Sequence, residues 1–398
     1  MAVAGALDGI RILDLSRFIA GPLCGMVLGD MGADVVKVER RVKGEDSRAV
    51  GPFVADESLY TLTYNRNKRG LTLDFRSADG QSLLRELIAE ADVVIENFRA
   101  GTMEKMGCGW DVVSALNPRA IMVRISGFGQ DGPLAKRPCF DVIAQAMSGL
   151  MEMTGEVNGP PLPSGTFLVD QVCGLYAAIG TLGALNARER TGRGQVVETA
   201  LLDSATTLLL TAIPEKILLG KDASRQGARD RYSSPSNNYR CRDGRYIHVA
   251  AGNGRMFPRL AKLMGATGLL TDERFATHAA RMAHASEIES IVAKWAEQYD
   301  ADDLVVMLAD AEVPCGKIST IGELIENPQI VHRKQIISVP HPSVGSFPMA
   351  NSPVRMSHST RDAYKAAPSI GEDTDEVLAG WLGYEARRIA ELRAQGVV

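Results

Sequence analysis

Short runs of valine, isoleucine and leucine alternate with helix-like segments through the first half of the chain. The runs IRILDL, DVVKVE, DVVIENF and AIMVRISG are typical of buried strands, because they are short and rich in β-branched residues. Between them, SADGQSLLRELIAEA and WDVVSALNP carry the apolar spacing of amphipathic helices. This alternation predicts βαβ units around a mostly parallel sheet, and therefore an α/β fold.

A second, smaller α/β domain is predicted for residues 222–325. RYIHVAAG indicates a strand, ASEIESIVAKWAEQYD and ADDLVVMLADAEVP indicate helices, and the turn-rich QGARDRYSSPSNNYRCRDG is interpreted as the linker. Scattered breakers in ENPQIVHRKQIISVPHPSVGSFPMANSPVRMS predict a strand-poor loop, and GEDTDEVLAGWLGYEARRIAELRAQ predicts further helix. The large domain is therefore expected to comprise residues 1–215, completed by residues 330–398.

Composition excludes several classes of partner. The chain has 398 residues, of which 45% are hydrophobic and 23% charged, as in ordinary globular proteins. A net charge of −4 gives no overall attraction to nucleic acid or to an anionic membrane. The segment MAVAGALDGIRILDL lacks the pattern of a secretion signal, and the six cysteines are scattered without metal-binding spacing. We therefore expect a cytoplasmic protein with free thiols, no metal, no nucleic acid and no membrane partner.

The motif GFGQDG at residues 127–132 matches the dinucleotide fingerprint G-x-G-x-x-G after a strand-like run. A nicotinamide-dependent oxidoreductase is therefore one alternative. Pro138 follows Pro133 closely, which leaves no long helix to present its N-terminus to a pyrophosphate, so we interpret the motif as a turn. All six histidines lie after residue 247, so any catalyst in the first half works without imidazole.

Two features of the first half carry candidate chemistry. The basic clusters KVERRVKGEDSR and YNRNKRGLTLDFR are interpreted either as paired surface charges or as a phosphate site at the ends of strands. In SGTFLVDQVCGLYAAIGTLGAL, Asp170 is the only ionisable side chain before a small and apolar helix-like run. Its spacing favours a helix N-cap. The alternative is a partly desolvated nucleophile, which an ordinary pKa of about 3.9 would keep ionised at neutral pH.

Six segments together resemble, in order, segments of the class III CoA-transferase family. They are LDGIRILDLSRFIAGPLCGMVLGDMGADVVKVERR, YNRNKRGLTLDF, ADVVIENFRAGTMEKMG, TGRGQVVETALLDSA, EVPCGKI and GEDTDEVL. The family includes formyl-CoA transferase, carnitine CoA-transferase and 2-methylacyl-CoA racemase. The resemblance implies a doubly wound, Rossmann-like large domain, an interlocked homodimer, and an acyl pocket between the two domains. It also implies that CoA is part of the substrate and that no cofactor is permanently bound.

The resemblance assigns roles to individual residues. Asp170 matches the family's nucleophilic aspartate, which displaces the N-cap interpretation, and Phe140 and Asp141 are candidates for the acyl pocket. The substrates implied are an acyl-CoA and a free carboxylic acid. The positions that match CoA contacts are Ile19, Ala20, Arg40, Leu73, Phe75, Arg76, Asn97, Phe98, Lys105 and Met106.

Two departures from family patterns narrow the expected activity. Ile19 stands where formyl-CoA transferase has a glutamine, and that enzyme's glycine-rich insertion in the small domain is missing, which argues against oxalate and formate as substrates. The racemase branch has a catalytic histidine where this chain has Phe140. We therefore expect transfer of CoA between acids through aspartyl-anhydride and aspartyl-CoA thioester intermediates. A 2-methylacyl-CoA racemase, a nicotinamide-dependent oxidoreductase and a noncatalytic acyl-CoA binder are the alternatives.

Overall fold

The computed structural model describes residues 5–359 and 364–398. Contacts between residues divide the chain into two units. The first comprises Met1–Leu150, Pro163–Ile213 and His332–Val398, and the second comprises Met151–Leu162 and Pro214–Val331. The sequence analysis assigns Met151–Leu162 to the large domain, whereas its contacts group it with the second unit.

A parallel sheet of six strands forms the centre of the first unit. The strands of its N-terminal part are β1 (Arg11–Asp14), β2 (Asp34–Glu39), β3 (Phe53–Val54), β4 (Glu57–Ser58), β5 (Lys68–Thr72), β6 (Val93–Glu96), β7 (Ile121–Ser126) and β8 (Val196–Ala200). The sheet order is β5-β2-β1-β6-β7-β8 with every neighbouring pair parallel, and β3 and β4 form a separate antiparallel pair. The predicted α/β fold and parallel sheet are confirmed.

Helices cover both faces of this sheet. They are α1 (Ala20–Asp30), α2 (Leu59–Tyr64), α3 (Ala78–Glu90), α4 (Thr102–Lys105), α5 (Trp110–Leu116), α6 (Asp141–Ser148), α7 (Leu168–Thr191) and α8 (Leu201–Thr206). Neighbouring strand residues point to opposite faces, so Ile12 packs in a cluster with α1 and α7, and Leu13 packs in a cluster with α3. Both faces of the sheet are therefore buried, as in a doubly wound fold.

The second unit has its own small sheet and core. Its helices and the helices at its borders are α9 (Ala212–Leu219), α10 (Met256–Leu263), α11 (His278–Ala283), α12 (Ala285–Ala296), α13 (Ala301–Asp310), α14 (Ile321–Glu326) and α15 (Pro328–His332). The antiparallel strands are β9 (Ser236–Arg240), β10 (Tyr246–Ala250) and β11 (Cys315–Lys317), in the order β11-β10-β9. Ile247, Val292 and Leu304 are buried in its core. Strand β9 lies within the segment predicted as a linker.

The C-terminal part of the first unit contains a hairpin and two helices. They are β12 (Ile336–His341), β13 (Gly345–Ala350), α16 (Thr374–Leu382) and α17 (Ala386–Ala394). The predicted strand-poor loop is therefore wrong. Val339, Phe347 and Met349 alternate with exposed residues and pack against Leu62. The prolines of this segment are tolerated because each strand of a two-stranded hairpin has one edge without a partner strand.

Helix α7 is long and apolar enough to span a membrane, judged by length and composition alone, with a mean hydropathy of 1.4 over its most apolar window. The helix packs against α1, α8, β7 and β8 in the first unit. Near its end the buried guanidinium of Arg188 pairs with Asp92 at 2.8 Å. These contacts identify α7 as a core helix of the α/β unit.

Candidate active site

The order of strands in the sheet changes direction at β1. Strands β2 and β5 follow on one side of β1, and β6, β7 and β8 follow on the other. In open α/β sheets, ligands bind at such a point, beyond the carboxyl ends of the strands. A cavity of about 220 Å³ lies there, between the loops that follow β1, β6 and β7 and the start of α7. Its lining includes Arg17, Phe18, Ile19, Ala20, Asn97, Phe98, Arg99, Gly127, Arg137, Cys139, Phe140 and Asp170.

The loop after β1 is held by side chains from other loops. Phe18 has a φ of 64°, a left-handed conformation that is uncommon for a residue other than glycine. Its N–H donates to the Glu45 carboxylate at 2.9 Å. The Arg17 N–H donates to Asn97 Oδ1 at 2.8 Å, and Asn97 Nδ2 donates to the Arg17 carbonyl at 2.7 Å. Asn97 and Glu45 therefore fix the backbone that lines one side of the cavity.

Buried charges lie beneath this loop. Lys68 Nζ donates to Asp14 at 2.8 Å, and Lys37 Nζ donates to the Ser16 carbonyl and lies 3.7 Å from Glu45. Burial raises the pKa of Asp14, but the charges of Lys37 and Lys68 outweigh it and hold this pKa below its usual range. The carboxylate of Asp14 is therefore ionised and its charge is balanced, and it accepts a hydrogen bond from the Ser16 N–H at 2.9 Å in the loop after β1.

The second basic cluster contains arginines that pair with aspartates outside the cluster, and both clusters contain exposed cations. Arg66 pairs with Asp30 at 2.6 Å between side chains that are both 4% exposed, and Arg69 pairs with Asp34. The interpretation as paired charges is therefore correct for these arginines, although the Arg66 pair is buried rather than at the surface. Arg40, by contrast, is exposed.

The exposed cations among the predicted CoA contacts lie beyond the carboxyl ends of strands. Arg40 directly follows β2, Arg76 follows β5, and Lys105 ends α4 after β6. Arg40 shares the carboxylate of Asp46 with Arg17, which lines the cavity. Of these exposed cations, Arg40 is thus connected to the rim of the cavity through one ion-pair network.

Apolar residues predicted as CoA contacts lie in the hydrophobic core or pack against it. Leu73 is 0% exposed, and Phe75 and Met106 pack against the same cluster. The side chain of Leu73 supports the sheet, so only its backbone is available to a ligand.

Close packing of α1 against α7 brings Ala20 near Asp170. At Gly174, one turn after Asp170, an added Cβ would lie 2.5 Å from the Ala20 carbonyl oxygen. Only a glycine permits this approach. The small residues of the apolar run therefore set the distance between the start of α1 and the first turn of α7.

Asp170 lies in the first turn of α7, which begins at Leu168 after the N-cap residue Phe167. The N-cap interpretation of Asp170 is therefore wrong. The cap comes from another helix, because the Asp141 carboxylate accepts hydrogen bonds from the Val169 N–H at 2.7 Å and the Asp170 N–H at 3.0 Å. The Asp170 carboxylate is thus left for the cavity, which it lines.

The environment of Asp170 makes it a weak acid. Burial, and then repulsion from Asp141, raise the pKa of Asp170 to about 7. The expectation that its pKa is ordinary is therefore wrong, and at neutral pH about half of these side chains carry the charge. The charge of Asp170 in turn adds to the effect of burial in raising the pKa of Tyr60 and Tyr64 on α2. Both phenols therefore stay protonated and able to donate hydrogen bonds near this carboxylate.

Phe140 and Asp141 are neighbours in sequence with different surroundings. Phe140 is 60% exposed, lines the cavity, and packs edge-on against Phe18 with ring centroids 5.7 Å apart. Asp141 is 1% exposed and its carboxylate faces the amides of α7. The carboxylate of Asp141 therefore holds the start of α7, and its role in shaping an acyl pocket stays a prediction.

Sequence analysis missed three arginines that line the cavity, Arg17, Arg99 and Arg137. Arg17 lies over the ring of Phe98 at 5.3 Å. In the part of the chain that the structure describes, neither Arg99 nor Arg137 forms an ion pair. Arg17 and Arg99 each follow a predicted strand within three residues. Because ligands bind beyond the carboxyl ends of strands, this position in the sequence could have identified both as candidate site residues.

Comparisons with known proteins identify the family of this chain. A model described as CoA-transferase family III matches residues 7–374. The chain is 38% identical over 393 residues to succinyl-CoA–D-citramalate CoA-transferase of Chloroflexus aurantiacus, covering 98% of both chains. It is 33% identical to succinyl-CoA:glutarate CoA-transferase of Homo sapiens, covering 98% of this chain and 90% of that one. The crystal structure of a CAIB/BAIF family protein from Brucella suis matches with a TM-score of 0.84 at 36% identity, covering 95% of this chain and 100% of that chain. The chain therefore belongs to CoA-transferase family III and is a CoA-transferase.

Proposed function

We propose that this enzyme moves CoA from succinyl-CoA to a second carboxylic acid, with Asp170 as the nucleophile. The observation that carries the proposal is the Asp170 carboxylate in the cavity beside β1, where no described lysine or arginine pairs with it. A carboxylate held in such surroundings destabilises the fold, and such groups are concentrated at functional sites. The choice of donor rests on the two relatives, both of which are named for succinyl-CoA.

The reaction exchanges one thioester for another. The Asp170 carboxylate attacks the thioester carbonyl of succinyl-CoA, which forms a mixed anhydride and releases the CoA thiolate. The thiolate attacks the aspartyl carbonyl, which frees succinate and leaves an aspartyl-CoA thioester. The acceptor carboxylate attacks that thioester and again releases the thiolate, which then attacks the acceptor's acyl carbon. The new acyl-CoA leaves, Asp170 is a carboxylate again, and no ATP is consumed.

Both intermediates react with water, so the site must retain the thiolate and exclude solvent. In the proposal, Arg40, Arg76 and Lys105 bind the phosphates of CoA as charge-assisted contacts. The thioester end enters the cavity past Ile19, Ala20, Asn97 and Phe98. Binding energy from the nucleotide end then holds the thiolate beside Asp170 during both transfer steps.

We also propose that the enzyme is a cytoplasmic, interlocked homodimer without a permanently bound cofactor. Support for the dimer comes from Ile217, Leu218 and Leu219 on α9, whose side chains are 75%, 76% and 64% exposed. Contiguous exposed apolar residues of this kind mark interaction surfaces.

The racemase alternative needs a second base, and Asp170 is the one carboxylate, with no histidine, among the described residues that line the cavity. Phe140 cannot abstract a proton, and the neighbouring carboxylate of Asp141 is buried and bound to two amides. Racemisation is therefore not proposed.

The test is transfer from succinyl-CoA to a panel of mono- and dicarboxylic acids, followed by mass spectrometry of the products. We expect the wild type to form one new acyl-CoA for each succinate released, and Asp170→Asn to form none. Asp203→Asn, which removes an exposed carboxylate on α8, is the matched control and should retain activity. Normal turnover by Asp170→Asn, with its mass showing no reversion to aspartate, would refute the proposed nucleophile.

A further inference from the structure

The Asp141 carboxylate links two helices at the wall of the cavity. It lies at the start of α6, is 1% exposed, and accepts hydrogen bonds from two amides in the first turn of α7. Its second oxygen accepts a bond from Gln145 Nε2 at 2.5 Å. Gln145 is itself fixed, because its Oε1 accepts a bond from the Ser164 N–H at 2.9 Å. The carboxylate therefore occupies one position, defined from both sides.

We infer that Asp141 is a positioning residue for Asp170: it fixes the backbone of the nucleophile and supplies the negative charge that the nucleophile faces. The inference rests on the proposed function of Asp170 as nucleophile. It assigns to Asp141 no contact with substrate.

The role of Asp141 in fixing the backbone of Asp170 follows from the unpaired amides at the start of α7. The first amides of a helix have no partner within the helix, and a polar side chain at the N-cap usually binds them. In α7 the N-cap is Phe167, which has no polar side-chain atom, and Asp141 binds two of these amides instead. One of them belongs to Asp170 itself. The residue before Asp141 is Phe140, so the same carboxylate also fixes the distance between an aromatic wall residue and the nucleophile.

The charge part follows from the groups around Asp170. Those that interact with its charge are Asp141 on α6, Tyr60 and Tyr64 on α2, Cys139 before α6, and Cys173 one turn along α7. Asp141 is the one carboxylate among these described groups. Its repulsion adds to burial in raising the pKa of Asp170. A carboxylate with a raised pKa is more basic and hence more nucleophilic, at the cost of a smaller ionised fraction at neutral pH.

Asp141→Asn tests the charge. The asparagine oxygen can still accept from both α7 amides, but the negative charge is gone and the amide nitrogen cannot accept the bond from Gln145 Nε2. The measurement is the pH dependence of kcat/KM for transfer from succinyl-CoA between pH 5 and 9. We expect the rising limb of the variant's pH profile to move to lower pH by roughly one unit. The shift is no larger because burial, the larger cause of the raised pKa of Asp170, remains. Asp203→Asn removes a charge on α8 and should leave the limb in place.

Asp141→Glu tests the position. It keeps the charge but adds one methylene, so the carboxylate can no longer meet both amides at the same distances. We expect kcat to fall between about tenfold and a hundredfold, while the limb of the pH profile stays near that of the wild type. This variant also provides the test if Asp141→Asn does not fold.

The outcomes separate this inference from the proposed function. If Asp170→Asn is inactive while Asp141→Asn has the wild-type limb, the charge role of Asp141 is overturned and the nucleophile stands. Full kcat in Asp141→Glu would overturn the positional role. If Asp170→Asn is active, the nucleophile is wrong and the inference about Asp141 is overturned together with it.

Discussion

Replacing Asp170 with asparagine should stabilise the folded enzyme above neutral pH. Asparagine is similar in size, has no charge to bury, and is not repelled by Asp141. The pKa of Asp170 is raised from 3.8 in the unfolded chain to about 7 in the folded enzyme. Between these values the folded state keeps a proton that the unfolded state has lost, so wild-type stability falls as pH rises. The loss is complete above pH 7 and absent below pH 3.8.

The size of the stabilisation expected for Asp170→Asn follows from the pKa shift of Asp170. A difference of about 3 pKa units, at about 1.4 kcal/mol each, gives an upper value of about 4 kcal/mol. Asp170 is only partly buried, and water at the open side of the cavity reduces this value. We therefore expect Asp170→Asn to be more stable than the wild type by about 2 to 3 kcal/mol at pH 8.

Thermal unfolding at pH 5 and pH 8 is the assay. We expect the Tm of Asp170→Asn to exceed that of the wild type by several degrees at pH 8, and by clearly less at pH 5. Asp203→Asn, with its exposed carboxylate, should follow the wild type at both pH values. An equal Tm difference at both pH values, or a wild type that is the more stable protein at pH 8, would refute the reasoning about Asp170.

Three further predictions concern the ligands. Arg40→Ala should weaken CoA binding in titration calorimetry, and wild-type affinity should fall as salt screens the phosphate contacts; equal affinities would show that Arg40 is only a surface charge. Asn97→Ala removes both bonds to Arg17 and should lower kcat/KM for succinyl-CoA about tenfold or more, whereas wild-type kinetics would show that the loop keeps its place without them. A 2-methylacyl-CoA in deuterated buffer should show no enzyme-dependent exchange at its α-carbon by mass spectrometry, and rapid exchange would restore the racemase alternative.

The sequence predicts strands and helices correctly where the local pattern of a segment agrees with the structure that the segment forms. DVVKVE forms β2 over its whole length, and the helices α3 and α12 lie inside the predicted segments. The basic segment KRGLT was not predicted as a strand, yet it forms β5. Its cations are accommodated because Lys68 pairs with Asp14 and Arg69 pairs with Asp34, on strands that are distant in sequence. Such compensation depends on the tertiary fold and leaves no local pattern.

The same limit applies to the candidate site. Resemblance to a family identified Asp170, and the position of its segment explains why it reaches the cavity. Its raised pKa was not predictable, because the larger cause is burial in the folded cavity and the second cause, the Asp141 carboxylate, lies 29 residues earlier in the chain. The cap on α7 was assigned to the wrong aspartate for the same reason, since sequence spacing describes only partners within one helix.

The most direct test of the account is to trap the covalent intermediate. Wild-type enzyme is incubated with succinyl-CoA, quenched in acid, digested and analysed by mass spectrometry, with Asp170→Asn as the control. We expect the peptide containing SGTFLVDQVCG to gain the mass of a CoA thioester on Asp170, and the adduct to disappear when a free carboxylic acid acceptor is added. In Asp170→Asn the same peptide should stay unmodified and transfer should be lost. An unmodified wild-type peptide during active turnover, or full turnover by Asp170→Asn, would contradict the central claim that Asp170 carries CoA between the two acids.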